Sequence, residues 1–165
     1  MTGDPDAFQR LWAPERLTYV TGPKGDECPF CEAPHKRDED GLVVYRGDTC
    51  YVVLNLYPYN PGHLMVVPYR HVAGYEELTP VEVGEVGALT QDAVRALRAA
   101  SGAHGFNVGL NLGGAAGAGI AAHLHQHVVP RWGGDTNFMP VVGKTRVLPQ
   151  LLAQTREMLI AAWPS

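Results

Sequence analysis

Three histidines stand at alternate positions in the run His123-Leu124-His125-Gln126-His127-Val128-Val129. Alternate side chains of a β-strand share a face, so this spacing predicts a row of three imidazoles at steps of roughly 7 Å. Leu124 and Val128 then face the core, with Gln126 a polar residue among them. On a helix the same side chains would scatter around the cylinder. Plain surface decoration is one reading of such a row. A metal site is another, because imidazoles presented from a strand suit zinc or iron. A site of that kind calls for a nearby carboxylate, and the close one is Asp135, beyond Pro130. A third reading is nucleophilic catalysis. A neutral imidazole attacks phosphorus, its neighbour polarises the leaving oxygen, and backbone N–H groups hold the anion. The glycine- and alanine-rich segment Asn111 to Gly119 favours this third reading, because its N–H groups can approach a phosphate closely and form a nest.

A second constellation is Cys28-Pro29-Phe30-Cys31. Two cysteines at this spacing suggest a metal knuckle or a redox pair. A thioredoxin-like pair belongs at a strand–helix junction of a βαβ unit, and the sequence pattern offers none. A closed tetrahedral zinc site needs two further ligands. Cys50 is left over and reads as a core strand residue, while His35 and His104 read as surface residues.

The elements that must hold these residues follow from patterning. Residues 1–25 mix Pro, Gly and charge and read as an N-terminal arm with a short helix around Phe8 to Trp12, and His35 to Asp40 reads as a surface loop. Leu42 to Tyr45 and Tyr51 to Leu54 are strands about a turn at Arg46-Gly47-Asp48; after the break Pro58 to Gly62, His63 to Pro68 is a third. Thr79 as N-cap, Pro80 at the first helical position and Glu82 completing a capping box open a long helix that runs to Ala100. Phe106 to Leu110 and His123 to Val129 form a hairpin around the glycine-rich segment, the second strand ending at Pro130. Leu148 to Trp163 reads as a C-terminal helix, within a helical tail assigned to residues 147–165. Strands with one long helix across them predict an α+β domain.

Composition bounds the function. The 165 residues fit a single domain, and 45% apolar with 18% charged residues excludes low-hydrophobicity disorder. A net charge of −4 argues against a nucleic-acid binder that works by neutralising phosphates. No apolar run approaches the roughly 18–20 residues that cross a bilayer. The opening residues lack the basic start and apolar stretch of a signal peptide, so the expected address is the cytoplasm.

The run His123 to Val129 resembles the His-φ-His-φ-His-φ-φ signature of the histidine triad family of nucleotide hydrolases and transferases, departing from it only at Gln126. Further stretches resemble that family in the expected order: Asn55 to Pro68 with its Pro61-Gly62-His63 core, Phe106 to Gly109, and Pro130-Arg131-Trp132 followed by Gly134 to Phe138, which is similar to the bacterial branch near diadenosine tetraphosphate phosphorylases and hydrolases. The resemblance implies a half-barrel antiparallel sheet and a homodimer. It also implies cleavage of a dinucleoside polyphosphate through an AMP-histidine intermediate. By resemblance His125 is the nucleophile, His127 stands near the leaving phosphate oxygen, Asn55 contacts the ribose, and Asn111, Gly117 and Gly119 fall at the phosphates. His63 braces the triad. Zinc-containing relatives add one histidine shortly after the Pro-Gly-His strand and the first of the triad to a cysteine pair, which implies a structural zinc on Cys28, Cys31, His71 and His123. With inorganic phosphate as acceptor the enzyme is a phosphorylase giving ADP and ATP; with water it is a hydrolase, and a nucleoside phosphoramidase is the next alternative. Several phosphorylases carry glutamine at the third position, where this chain keeps His127; the match through Trp132 and Phe138 favours the phosphorylase. Outside these readings stand a slow nucleotide-binding regulator and a metal hydrolase with the triad as ligands.

Overall fold

The computed structural model describes residues 27–135 and 151–164. The expected arm and its helix at Phe8 to Trp12 lie outside the described residues. Five antiparallel strands form one open sheet: β1 (Val43–Arg46), β2 (Cys50–Leu54), β3 (Leu64–Pro68), β4 (Gly105–Leu110) and β5 (Gln126–Arg131), in the order β1-β2-β3-β5-β4. Short helical turns α1 (Pro29–Glu32) and α2 (Asp38–Gly41) precede the sheet, α3 (Pro80–Ser101) crosses it, and α4 (Leu152–Ala161) follows. The α+β reading therefore holds.

Strands β2 and β3 are buried along their whole length, which is why their sequences are continuous apolar runs rather than alternations. On one face Val52, Leu54, Leu64, Val66 and Val128 meet Val86, Leu89, Ala93 and Leu97 of α3 and Leu159 of α4. On the other face Val43, Tyr51, Val53, Met65 and Val67 pack against Phe30 and Ala33. Gly62, at φ +81°, makes the tight entry to β3, where an added Cβ would stand 2.9 Å from a Leu97 methyl carbon.

The long helix begins as its sequence requires. The Thr79 hydroxyl accepts the Glu82 N–H at 3.2 Å, and the Glu82 carboxylate accepts the Thr79 N–H at 2.7 Å. Gly102 closes the helix in the left-handed conformation. The same Glu82 carboxylate pairs with Arg70 at 2.8 Å. The Arg70 guanidinium and the Thr79 N–H hold its carboxyl at about 2, against an ordinary 4.5. The folded value is the lower one, so this group's contribution is complete above 4.5 and is lost as pH falls toward 2. The stability gap between the parent chain and Glu82→Gln, read by urea unfolding, is expected to be widest above pH 5 and to close between pH 4.5 and 2. A gap independent of pH would remove the carboxylate from the account.

Three sequence expectations are corrected. The stretch His35 to Asp40 is not plain loop: a 3-10 turn ends at His35 and α2 starts at Asp38, where Asp38 anchors Arg46 at 2.7 Å. The last helix spans Leu152–Ala161, shorter than expected, and residues 148–150 lie outside the described part. The third correction is at the triad. Strand β5 starts at Gln126 rather than His123 and continues through Pro130 to Arg131. The Leu124 N–H leaves the ladder for the Val72 carbonyl at 2.7 Å. Pro130 is tolerated because β3 pairs only as far as Val128, so its missing N–H costs no bond on that side, and the Asn60 amide takes its carbonyl.

Candidate active site and metal centre

The chain reaches the site from three directions. Strand β5 carries His127, the extended residues before it carry His123 and His125, and the end of the β2–β3 connection carries His63. All four are buried. His125 and His127 nonetheless line a broad open cleft with Asn55, Asn111, Gly117 and Gly119. The expected row is present in outline: the His125 and His127 rings meet edge-to-face at 4.9 Å, and Phe30 touches both His123 and His125.

Hydrogen bonds fix which nitrogen does what. The His125 Nδ1–H donates to the His123 carbonyl at 2.8 Å, which leaves the lone pair on Nε2. No described residue takes that Nε2, and no buried side-chain nitrogen or oxygen lacks a partner, so Nε2 opens on the cleft. Burial pushes the His125 imidazole below its ordinary 6.5, so the ring is neutral and nucleophilic at neutral pH.

His127 is set by a relay. The Tyr59 N–H donates to His63 Nδ1 at 3.1 Å, and the Asn55 amide reaches the same nitrogen at 3.2 Å. An Nδ1 that accepts leaves its proton on Nε2, and His63 Nε2 stands 2.9 Å from His127 Nδ1. His127 Nδ1 therefore accepts, and its own proton sits on Nε2. The Asn111 amide nitrogen lies 3.5 Å from that Nε2 on the cleft side; with the proton on Nε2 both groups are donors, so this contact does not take the Nε2–H. His125 thus offers a lone pair and His127 a hydrogen-bond donor, side by side, which is the pair that attack on phosphorus needs.

Asn55 lines the cleft, but its oxygen accepts the Tyr57 N–H at 2.9 Å while its nitrogen braces His63. Gly117, at φ +85°, ends a 3-10 turn over Gly114–Ala116, a conformation glycine adopts without strain.

Gln126, the polar residue in an apolar slot, has a partner on the helix. Its amide donates to the Thr90 hydroxyl at 2.6 Å, which in turn donates to the Val86 carbonyl. This tether marks where β5 leaves the sheet, between His125 and His127. Sequence reasoning missed Thr90, although an amide facing a helix was a signal that a partner had to exist. It also missed Tyr59, which acts through its backbone and whose ring lies tilted against His63 at 4.6 Å.

The first histidine faces elsewhere. Cys28, Cys31, His71 and His123 present ligand atoms that all lie within 4.8 Å of one another. Sulfur–nitrogen separations are 3.2 to 3.5 Å, close to the roughly 3.6 Å edge of a tetrahedron built from zinc–sulfur and zinc–nitrogen bonds. His123 Nε2–H donates to the Pro68 carbonyl at 2.8 Å, which turns Nδ1 to the sulfurs as a metal-bound imidazole requires. Burial and the adjoining Cys28 push the Cys31 thiol up, so a cation in the cluster would offset the charge of the paired sulfurs. The residues fit a tetrahedral zinc. Cys50 is buried in β2, and His35 and His104 are exposed, as expected.

Among the described residues no helix is long and apolar enough to cross a membrane. Residues 36–134 match the HIT domain. The chain is 53% identical to the AP-4-A phosphorylase of Mycobacterium tuberculosis across 98% of its own length and 87% of that protein's. A zinc-bound histidine triad family protein from Mycobacterium smegmatis superposes with a TM-score of 0.65 at 29% identity, covering 82% of this chain and 92% of that one. A histidine triad nucleotide-binding protein from Sulfolobus tokodaii gives 0.68 at 25% identity, over 82% and 91%. On the extent of these matches, the chain belongs to the HIT, or histidine triad, family.

Proposed function

We propose that this protein cleaves diadenosine tetraphosphate by phosphorolysis. His125 Nε2 attacks the phosphorus next to one adenosine; a P–N bond forms, the bridging P–O bond breaks, and ATP departs. His127 Nε2–H holds the departing oxygen. An oxygen of inorganic phosphate then attacks the same phosphorus, the P–N bond breaks, and ADP leaves. The observation that carries the reading is the pairing of a neutral His125, its lone pair on the cleft, with a His127 whose proton the relay keeps on Nε2. The choice of phosphate over water is supported by the 53% identity to a protein named AP-4-A phosphorylase. Asn55 serves the ribose, and Asn111, Gly117 and Gly119 serve the phosphates.

Zinc on Cys28, Cys31, His71 and His123 belongs to the same reading, as a cross-link with no part in bond making. A homodimer completes it, supported by β4 standing as the outer strand of the sheet with Val108 exposed. Product analysis tests the chemistry. With phosphate present, diadenosine tetraphosphate gives ADP and ATP in equal amounts, and without phosphate turnover nearly stops. Equal rates without phosphate, with AMP and ATP or two ADP as products, would assign a hydrolase instead.

A further inference from the structure

Phe30 sits between two cysteines, and its position in the fold is tightly determined. Cys28, two residues before it, and Cys31, directly after it, both stand in the Cys28–Cys31–His71–His123 cluster, and its carbonyl accepts the Tyr51 hydroxyl at 2.7 Å. Its side chain is 7% exposed and belongs to the core cluster of Val43, Tyr51, Val53 and Met65. The ring lies edge-on to His123 at 5.6 Å and tilted against His125 at 4.8 Å. His125 therefore has His127 against it at 4.9 Å, Phe30 against it at 4.8 Å, and its Nδ1 held by the His123 carbonyl.

We propose that Phe30 is a positioning residue for the nucleophile, seated by the Cys28–Cys31 knuckle so that its ring sets the plane of the His125 imidazole. The inference rests on His125 being the nucleophile. A single hydrogen bond at Nδ1 leaves the imidazole free to swing about that contact. A flat apolar wall removes the swing without offering a polar atom that competes for Nε2. In-line attack on phosphorus needs the Nε2 lone pair aligned with the leaving oxygen, and small misplacements at that point cost rate steeply. The knuckle thus does more than cross-link: it delivers a side chain to the reacting ring.

The test uses Phe30→Leu, which keeps apolar volume but loses the flat ring, with Phe30→Ala as a second variant. Three quantities are measured: zinc per chain, steady-state kcat and KM, and the single-turnover rate of AMP attachment to the protein from labelled diadenosine tetraphosphate. The expected result is zinc content equal to the parent chain, KM within about threefold, and both kcat and the attachment rate lower by about 10- to 100-fold. Unchanged kcat with raised KM overturns the proposal, since Phe30 would then be only a wall of the nucleotide cleft. Loss of zinc in step with loss of rate also overturns it, because the effect would run through the knuckle. His125→Ala runs alongside. If that variant still attaches AMP, the nucleophile assignment itself fails. If it does not, and Phe30→Leu attaches AMP at the parent rate, the positioning role alone fails.

Discussion

His125→Ala is expected to lower diadenosine tetraphosphate cleavage by roughly 10⁴-fold or more while ATP and ADP still bind, because the covalent route has no second nucleophile. His127 cannot take over. Its Nδ1 is occupied by His63 and its Nε2 carries a proton, so it offers no lone pair toward the cleft. Substitution should leave the fold in place, since the His125 ring contributes no hydrogen bond beyond the one to its neighbour's carbonyl. The measurement is steady-state turnover together with acid-quenched capture of labelled AMP on the protein. The parent chain's pH profile gives a companion reading. Burial holds His125 below 6.5, and the neutral ring is the reactive form. The acid limb of its activity should therefore fall below pH 6.5 rather than at it. Substantial turnover in His125→Ala sinks the covalent mechanism outright.

Removal of the proposed zinc should be the largest effect on stability. The cluster joins α1 to His71 beyond β3 and to His123 before β5, contacts that close loops of 40 and 95 residues. Losing such a cross-link is expected to cost on the order of 4–5 kcal/mol. Cys31→Ser should purify without zinc and unfold at markedly lower urea, and a strong chelator should shift the parent chain the same way. Identical unfolding curves with and without chelator would show that nothing structural depends on the cluster. Below the lowered transition the chelated chain should still cleave substrate, though more slowly, because no ligand of the metal takes part in bond making while the knuckle that seats Phe30 against His125 is loosened. Complete loss of cleavage in a chelated chain that remains folded, with Phe30→Leu as active as the parent, would favour the metal-hydrolase reading.

The parts of this molecule set by local rules were legible in the sequence. The box of Thr79, Pro80 and Glu82 marks the start of α3 to the residue, and the apolar runs mark β2 and β3. The start of β5 was not legible. Period-two spacing places His123 and His125 on the strand, but their backbone leaves the ladder. Local pattern cannot show that, because the groups that meet these residues, the Val72 carbonyl and two cysteines more than 90 residues earlier, are remote in the chain. The histidine row itself was readable from spacing, whereas the proton positions along it were not. They depend on the backbone N–H of Tyr59 meeting His63 across a turn. Likewise, the cysteine pair could be read from its spacing as a metal knuckle, but His71 and His123 share no spacing with it, and only resemblance to zinc-containing relatives joined the four residues that cluster here.

The relay into His127 runs from His63, which accepts the Tyr59 peptide N–H, and a peptide N–H does not pass protons on. His127 can therefore hold the departing oxygen by a hydrogen bond, but a proton given away would not be replaced through that peptide N–H. ATP suits such a site, since it leaves as the polyanion it already is at neutral pH. The cycle then closes without net proton uptake by the protein. In the proposed reaction the free energy of the cleaved anhydride would be stored in the P–N bond and handed to the acceptor instead of being released to solvent. A transfer of that kind runs in either direction, and the flow is set by the relative amounts of ADP, ATP, phosphate and dinucleotide rather than by the site.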